Sequence, residues 1–115
     1  MIYATDENFD SLVKVHHKVL VDFFATWCGP CRMLAPELEE VEESTQDVVI
    51  VKVDVDDCPR TAMRFRIDAV PTMMVFVDGD LVQTMEGYLP AKDIEKVLGR
   101  LKWKDLELTQ TKNML

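Results

Sequence analysis

The stretch Trp27-Cys28-Gly29-Pro30-Cys31 decides how this chain is organised. Its two cysteines are three positions apart, so on a helix they lie on one face, about one turn from each other. A disulfide needs Cα atoms within roughly 4.4–6.8 Å, and one helical turn provides that separation. The hydrophobic pattern predicts a buried strand just before the stretch and a helix just after it. Because free N–H groups and the helix dipole favour a negative sulfur at such a junction, we expect a reactive thiolate there.

The composition restricts the class of protein. The 115 residues are 48% hydrophobic and 30% charged, which is typical of one soluble globular domain. A formal net charge of −8 argues against nucleic acid or an anionic membrane as a partner. The N-terminus has no signal-peptide pattern, and no apolar run reaches the roughly 20 residues of a membrane helix, so we expect a cytoplasmic protein. In a reducing compartment, a C-x-x-C pair is redox-active or binds a metal.

Hydrophobic periodicity predicts the order of the secondary structure. Expected strands β1 to β5 lie at 2–4, 18–25, 48–54, 73–77 and 81–86, and expected helices lie at about 7–15, 32–44, 56–65 and 90–101. Strands alternate with helices first, and the Asp78-Gly79 pair is a hairpin signal that joins the last two strands. This pattern predicts a three-layer α/β domain with a mixed sheet.

Two charged residues interrupt the expected buried strands, Asp22 in β2 and Lys52 in β3. A buried carboxylate is costly unless it is paired, hydrogen-bonded or protonated. Asp22 is therefore either an edge residue that reaches solvent or a buried carboxyl with a raised pKa that moves protons for a nearby thiol. Its position six residues before Cys28 favours the second interpretation. If β2 and β3 are parallel neighbours, Lys52 approaches Asp22 and tunes it.

These motifs together resemble the thioredoxin family over residues 1–101. The residues that carry the resemblance are Trp27-Cys28-Gly29-Pro30-Cys31, Val21-Asp22-Phe23, Pro36, Lys52, Val70-Pro71-Thr72, Asp78-Gly79 and Gly87. The resemblance implies a thioredoxin fold, with a five-stranded mixed sheet in the order β1-β3-β2-β4-β5 and four helices on its two faces. It also divides the chain into a thioredoxin domain, 1–101, and a C-terminal extension, 102–115, of unassigned role.

The resemblance implies roles for individual residues. Cys28 would be the exposed nucleophile and Cys31 the more buried resolving thiol. Asp22 would accept the proton of Cys31, with Lys52 beside it. Substrate-binding positions would be Trp27, Gly29, Pro30, Val70, Pro71 and Gly87. The Val70–Pro71 peptide bond would be cis, and the backbone of Val70 would pair with an extended substrate segment.

The implied activity is reduction of disulfides in partner proteins by a monomer that binds no cofactor. A flavin-dependent thioredoxin reductase, drawing on NADPH, would return the chain to its reduced form. The Gly29-Pro30 pair adds no positive charge between the cysteines, which favours a reductant over an oxidant. Two positions depart from the family pattern. Phe24 stands where many members have tryptophan, and Cys58 has no partner thiol nearby.

Three other interpretations remain open from the sequence. A metal site would need ligands beyond the two motif cysteines, and Cys58, His16 and His17 match no zinc spacing. An oxidase or isomerase could share the fold, although the Gly29-Pro30 pair argues against it. A non-enzymatic subunit could bind a partner in the shallow apolar groove that, from the resemblance, Trp27, Val70, Pro71 and Gly87 would line.

Overall fold

The computed structural model describes residues 1–101, and the predicted extension at 102–115 lies outside the described residues. The described part contains five strands and four helices in the predicted order. These are β1 Ile2–Tyr3, α1 Phe9–Val15, β2 Lys18–Phe24, α2 Gly29–Ser44, β3 Val49–Asp54, α3 Pro59–Arg64, β4 Thr72–Val77, β5 Asp80–Glu86 and α4 at residues 91–101. No helix within residues 1–101 is long and apolar enough to cross a membrane.

The five strands form one mixed sheet in the order β1-β3-β2-β4-β5, which confirms the expected topology. β1 and β2 both run parallel to β3, while β4 is antiparallel to β2 and β5 is antiparallel to β4. The central strand β2 is therefore paired on both sides and covered on both faces. Its residues from Val19 to Phe23 are fully buried.

The side chains of each strand alternate between two separate cores, because successive strand residues point to opposite faces of the sheet. One core packs Leu20, Ile50 and Met73 of the sheet against α2 and α4. The other packs alternate positions, such as Phe23 and Phe76, against α1 and against Cys58 and Phe65, the residues that flank α3. This arrangement gives the predicted three layers.

The Asp78-Gly79 pair forms the predicted hairpin turn between β4 and β5. Both residues have positive φ, 51° and 85°, as a type I′ turn requires. The turn leads β5 back along β4 so that its far end, at Glu86, pairs with Thr72. That end of the hairpin lies next to the segment that follows α3, and this segment closes one side of the candidate site.

Candidate active site: a disulfide at the start of helix α2

Cys28 and Cys31 form a disulfide, with their Cα atoms 5.2 Å apart. Helix α2 begins at Gly29, three residues earlier than predicted, because Pro30 fits the first turn and Cys28 caps the helix. The backbone N–H of Cys31 donates a hydrogen bond to Cys28 Sγ over 3.2 Å. In the reduced protein the same N–H group would stabilise a thiolate on Cys28.

The expected exposure of Cys28 is wrong for this oxidised form. Cys28 and Cys31 are 4% and 3% exposed, so the two sulfurs are buried almost equally. The disulfide packs in a small apolar cluster with Ala25, and Phe24, Val55 and Val70 lie against that cluster. The segment before β4 therefore covers the sulfurs, which the local sequence around the cysteines does not reveal.

The Val70–Pro71 peptide bond is cis, as the resemblance implied. The carbonyl oxygen of Val70 lies 3.6 Å from Cys28 Sγ. The backbone N–H of Gly87 donates to the carbonyl oxygen of Pro71 over 2.9 Å, and Gly87 has φ of 86°, which favours glycine. The end of β5 thus fixes the cis-proline segment beside the disulfide.

Trp27 stands beside the disulfide with 66% of its surface exposed. Its indole N–H donates to Asp56 Oδ2 over 3.0 Å, and Asp56 was not among the predicted site residues. The sequence did offer a signal for this contact. Trp27 follows β2 and Asp56 follows β3, and the carboxyl ends of these parallel strands meet at the same edge of the sheet. Asp56 therefore restrains the large exposed ring of Trp27.

A groove of about 390 Å³ runs beside Trp27. Its lining residues are Trp27, Val55, Ile67, Asp68, Ala69 and Val70. Two predicted substrate-binding residues, Trp27 and Val70, thus belong to it. The other four predicted positions, Gly29, Pro30, Pro71 and Gly87, do not line this groove, and of these Pro30 is exposed whereas Pro71 is buried.

Asp22 and Lys52 are paired in register across β2 and β3, as the sequence suggested. Lys52 Nζ lies 3.2 Å from Asp22 Oδ2, and the two side chains are 6% and 0% exposed. Neither carboxylate oxygen has a hydrogen-bond partner of good geometry among the described residues. Burial raises the pKa of Asp22, and the nearby ammonium of Lys52 offsets only part of that rise. Asp22 is thus a buried carboxyl rather than an edge residue.

A second pocket, of about 250 Å³, connects the disulfide with the buried ion pair. Both Cys31 and Lys52 line it, together with Phe24, Ala25, Thr26, Arg32 and Ala35. A pocket of this size with polar groups in its wall has room for water. The pocket therefore lies between Cys31 and the lysine that is paired with Asp22.

Cys58 lies apart from the disulfide, in the core between the sheet and helices α1 and α3. It is 1% exposed, and its Sγ donates to the carbonyl oxygen of Ala4 over 3.4 Å. Burial and the neighbouring carboxylates, Asp6 first among them, raise the pKa of this thiol. Within residues 1–101, no group of three or more histidine, cysteine or acidic side chains is placed to hold a metal ion.

Comparison with known proteins agrees with this geometry. A sequence model described as Thioredoxin matches residues 1–100. The thioredoxin of Listeria monocytogenes is 46% identical over 97 residues, which are 84% of this chain and 93% of that protein. The solved structure of Plasmodium falciparum thioredoxin has a TM-score of 0.81 and 33% identity, covering 87% of this chain and 98% of that one. The oxidised form of mitochondrial thioredoxin 3 from Saccharomyces cerevisiae also has a TM-score of 0.81, with 35% identity, and covers 87% and 94%.

Replacing the buried carboxyl should change how stability depends on pH. A pKa that is raised on folding means that the folded state holds its proton longer than the unfolded state does. The contribution of Asp22 to the free energy of unfolding is therefore fully present below the pKa of this group in the unfolded chain, about 4. It is lost as the pH rises through the pKa of Asp22 in the folded protein. We expect Asp22→Asn to remove this loss. Between the two pKa values, the free energy of unfolding of the variant should therefore rise relative to that of the native protein by up to about 1.4 kcal/mol per pH unit.

Urea unfolding of the oxidised proteins at several pH values measures this difference. Asp68→Asn, which changes an exposed carboxyl, is the matched control and should show no comparable trend. A gap between Asp22→Asn and native protein that stays constant from acid to neutral pH would contradict the raised pKa.

Proposed function

The chain belongs to the thioredoxin family and is a thiol–disulfide oxidoreductase that reduces protein disulfides, and we propose that Cys28 is its nucleophile and Cys31 its resolving thiol. The observation that carries these roles is the hydrogen bond from the Cys31 N–H to Cys28 Sγ. It supports a stabilised negative charge on Cys28 in particular. Cys28 also follows directly after Trp27, which lines the groove, whereas Cys31 lies inside helix α2.

The proposed reaction proceeds by two exchanges. The Cys28 thiolate attacks one sulfur of a substrate disulfide, a mixed disulfide forms, and the other substrate sulfur leaves as a thiolate. Cys31 then loses its proton and attacks Cys28 Sγ. The second substrate sulfur leaves, and the Cys28–Cys31 disulfide of the oxidised protein remains. Two electrons pass to the substrate in each cycle.

We propose that Asp22 accepts the proton of Cys31, with Lys52 as its charged neighbour. The raised pKa of Asp22 supports this role, because a buried carboxylate with a raised pKa is a stronger base than an exposed one. The pocket shared by Cys31 and Lys52 supports passage of the proton through water. The ammonium of Lys52 counteracts the cost of ionising Asp22 at this buried position.

The substrate is proposed to bind as an extended segment beside the disulfide. Trp27 and Val70 would form the apolar wall of its site, and the backbone of Val70 would pair with it in the manner of a strand. Gly29, Pro30, Pro71 and Gly87 would complete the contact surface. The open space around Gly29 suits close approach, since nothing lies within 4 Å of where a Cβ would stand.

The wider role that we propose is that of a general electron donor in the cytoplasm. Thioredoxin reductase, using NADPH, would re-reduce the Cys28–Cys31 disulfide, and the chain itself would bind no cofactor. Residues 1–101 would form the functional domain and act as a monomer. Nucleic acid and membranes are not proposed as partners, because the net charge of −8 would repel both anionic surfaces.

The order of attack predicts a trapping result. Cys31→Ser leaves the nucleophile in place but removes the thiol that releases it, so stable mixed disulfides with substrate proteins should accumulate. Non-reducing electrophoresis and mass spectrometry of the adducts at Cys28 would measure this. Cys28→Ser is the control and should trap little. Adducts formed by Cys28→Ser and not by Cys31→Ser would reverse the assigned order.

The proton acceptor predicts a pH-dependent defect. We expect Asp22→Ala to slow resolution of a preformed Cys28 mixed disulfide on the order of 100-fold near pH 7. The defect should shrink at alkaline pH, where Cys31 ionises without help. The preformed mixed disulfide joins Cys28 to an aromatic thiol, and rapid mixing measures the release of that thiol. Asp80→Ala is the control, because this exposed carboxylate lies at the end of the β4–β5 hairpin away from the proposed site. Equal slowing at every pH would remove proton acceptance from the role of Asp22.

A further inference from the structure

The ring of Phe24 lies over the ammonium of Lys52. Lys52 Nζ is 4.4 Å from the ring centroid and 3.2 Å from Asp22 Oδ2. A cation within about 6 Å of an aromatic face is attracted by the ring quadrupole, and more strongly when it is removed from water. The ammonium is therefore held by two partners, a carboxylate and a ring, in a place where its side chain is only 6% exposed.

The fold keeps this ring in position. Asp22 and Phe24 point to the same face of β2, because they are two residues apart. On the neighbouring strands, Lys52 pairs with both Asp22 and Tyr3. The Tyr3 ring meets the Phe24 ring edge to face, with centroids 6.2 Å apart at an angle of 80°. Phe24 also packs against the cluster around the disulfide, so it links that cluster to the ion pair.

We propose that Phe24 is a positioning residue for disulfide exchange, whose ring face holds the Lys52 ammonium against the Asp22 carboxylate and so keeps Asp22 in the charged form that accepts the proton of Cys31. This inference rests on the role proposed above for Asp22. In the step concerned, the Cys31 S–H bond breaks and its proton forms an O–H bond on Asp22. The sulfur keeps the electron pair and bonds to Cys28, while the substrate sulfur leaves with the pair of the broken mixed disulfide.

Among the charged groups around Asp22, Lys52 is the one that links the Phe24 ring to the Asp22 carboxyl. Lys52 is the charged group whose proximity lowers the pKa of Asp22. Arg32, from α2, lines the same pocket, but its guanidinium donates to the carbonyl oxygen of Thr26 over 3.1 Å. Asp54, which pairs with Phe24 on β3, accepts a hydrogen bond from the backbone N–H of Asp56. On the other side of β2, the residue in register with Asp22 is the uncharged Met73.

A positioning role and a simple packing role for the Phe24 ring predict opposite shifts of the Asp22 titration midpoint. If the ring face holds the ammonium, its removal lets Lys52 move away, and Asp22 then loses the positive charge that favours its ionised form. The midpoint of the Asp22 titration moves to higher pH. If the ring only excluded water, its removal would hydrate Asp22 and move the midpoint to lower pH.

The test compares Phe24→Leu, which keeps an apolar side chain, with Phe24→Tyr, which keeps the ring face. The same change is made in a Lys52→Met background. The measurements are the pH profile of mixed-disulfide resolution and a carbon-13 titration of the Asp22 carboxyl in the reduced protein. We expect Phe24→Leu to raise the Asp22 midpoint by roughly half a pH unit to one unit, and Phe24→Tyr to match the native protein. In Lys52→Met, Phe24→Leu should cause no further rise.

An unchanged or lowered midpoint in Phe24→Leu would overturn the proposal, and so would an equal rise in the Lys52→Met background. Phe24→Met, which also lacks the ring, replaces Phe24→Leu if the leucine variant does not fold. The carbon-13 titration separates the inference about Phe24 from the proton-acceptor role proposed for Asp22. If Asp22→Ala leaves the rate profile unchanged, the role of Asp22 in exchange fails, while the carboxyl titration still tests the link from ring to ammonium to carboxylate.

Discussion

The hydrogen bond from the backbone N–H of Cys31 to Cys28 Sγ is the interaction on which the roles proposed for the two cysteines depend. It exists because β2 ends just before the motif and α2 begins within it, so that Cys28 occupies the capping position of the helix. The first N–H groups of a helix have no partner inside it, and a sulfur in the capping position takes one of them. The strand–helix junction therefore offers a backbone N–H donor to Cys28 Sγ without any charged side chain.

The buried pair of Asp22 and Lys52 beneath this junction, by contrast, is costly for the stability of the fold. Asp22 is fully buried and carries a raised pKa, so its ionisation costs folding free energy that an apolar residue would not cost. Its position follows from the parallel register of β2 and β3, which places Lys52 beside it. Phe24 and Lys52, which form the aromatic contact, both line the pocket that Cys31 also lines.

Periodicity and short motifs predicted the alternation of strands and helices, the Asp78-Gly79 hairpin and the approach of Lys52 to Asp22. The family resemblance implied the sheet order and the cis bond before Pro71. The structure confirms all of these features. The features that it missed depend on contacts between elements far apart in the chain. The burial of Cys28 comes from the segment around Val70, and the restraint on Trp27 comes from a carboxylate beyond β3. The contact of Val70 has no local signal, because single residues in loops carry no period. The place of Asp56 just past β3 was a signal, but it depends on knowing that β2 and β3 are parallel neighbours. The chemical roles of the site residues stay predictions.

The reduction potential of the Cys28–Cys31 pair tests most directly the central claim that this chain donates electrons. Equilibration against defined thiol–disulfide buffers, with the dithiol fraction read by alkylation, gives the value. We expect about −270 mV, the value known for thioredoxin. A value between about −180 and −120 mV, in the range of oxidants and isomerases, would contradict the claim even though the fold is the same.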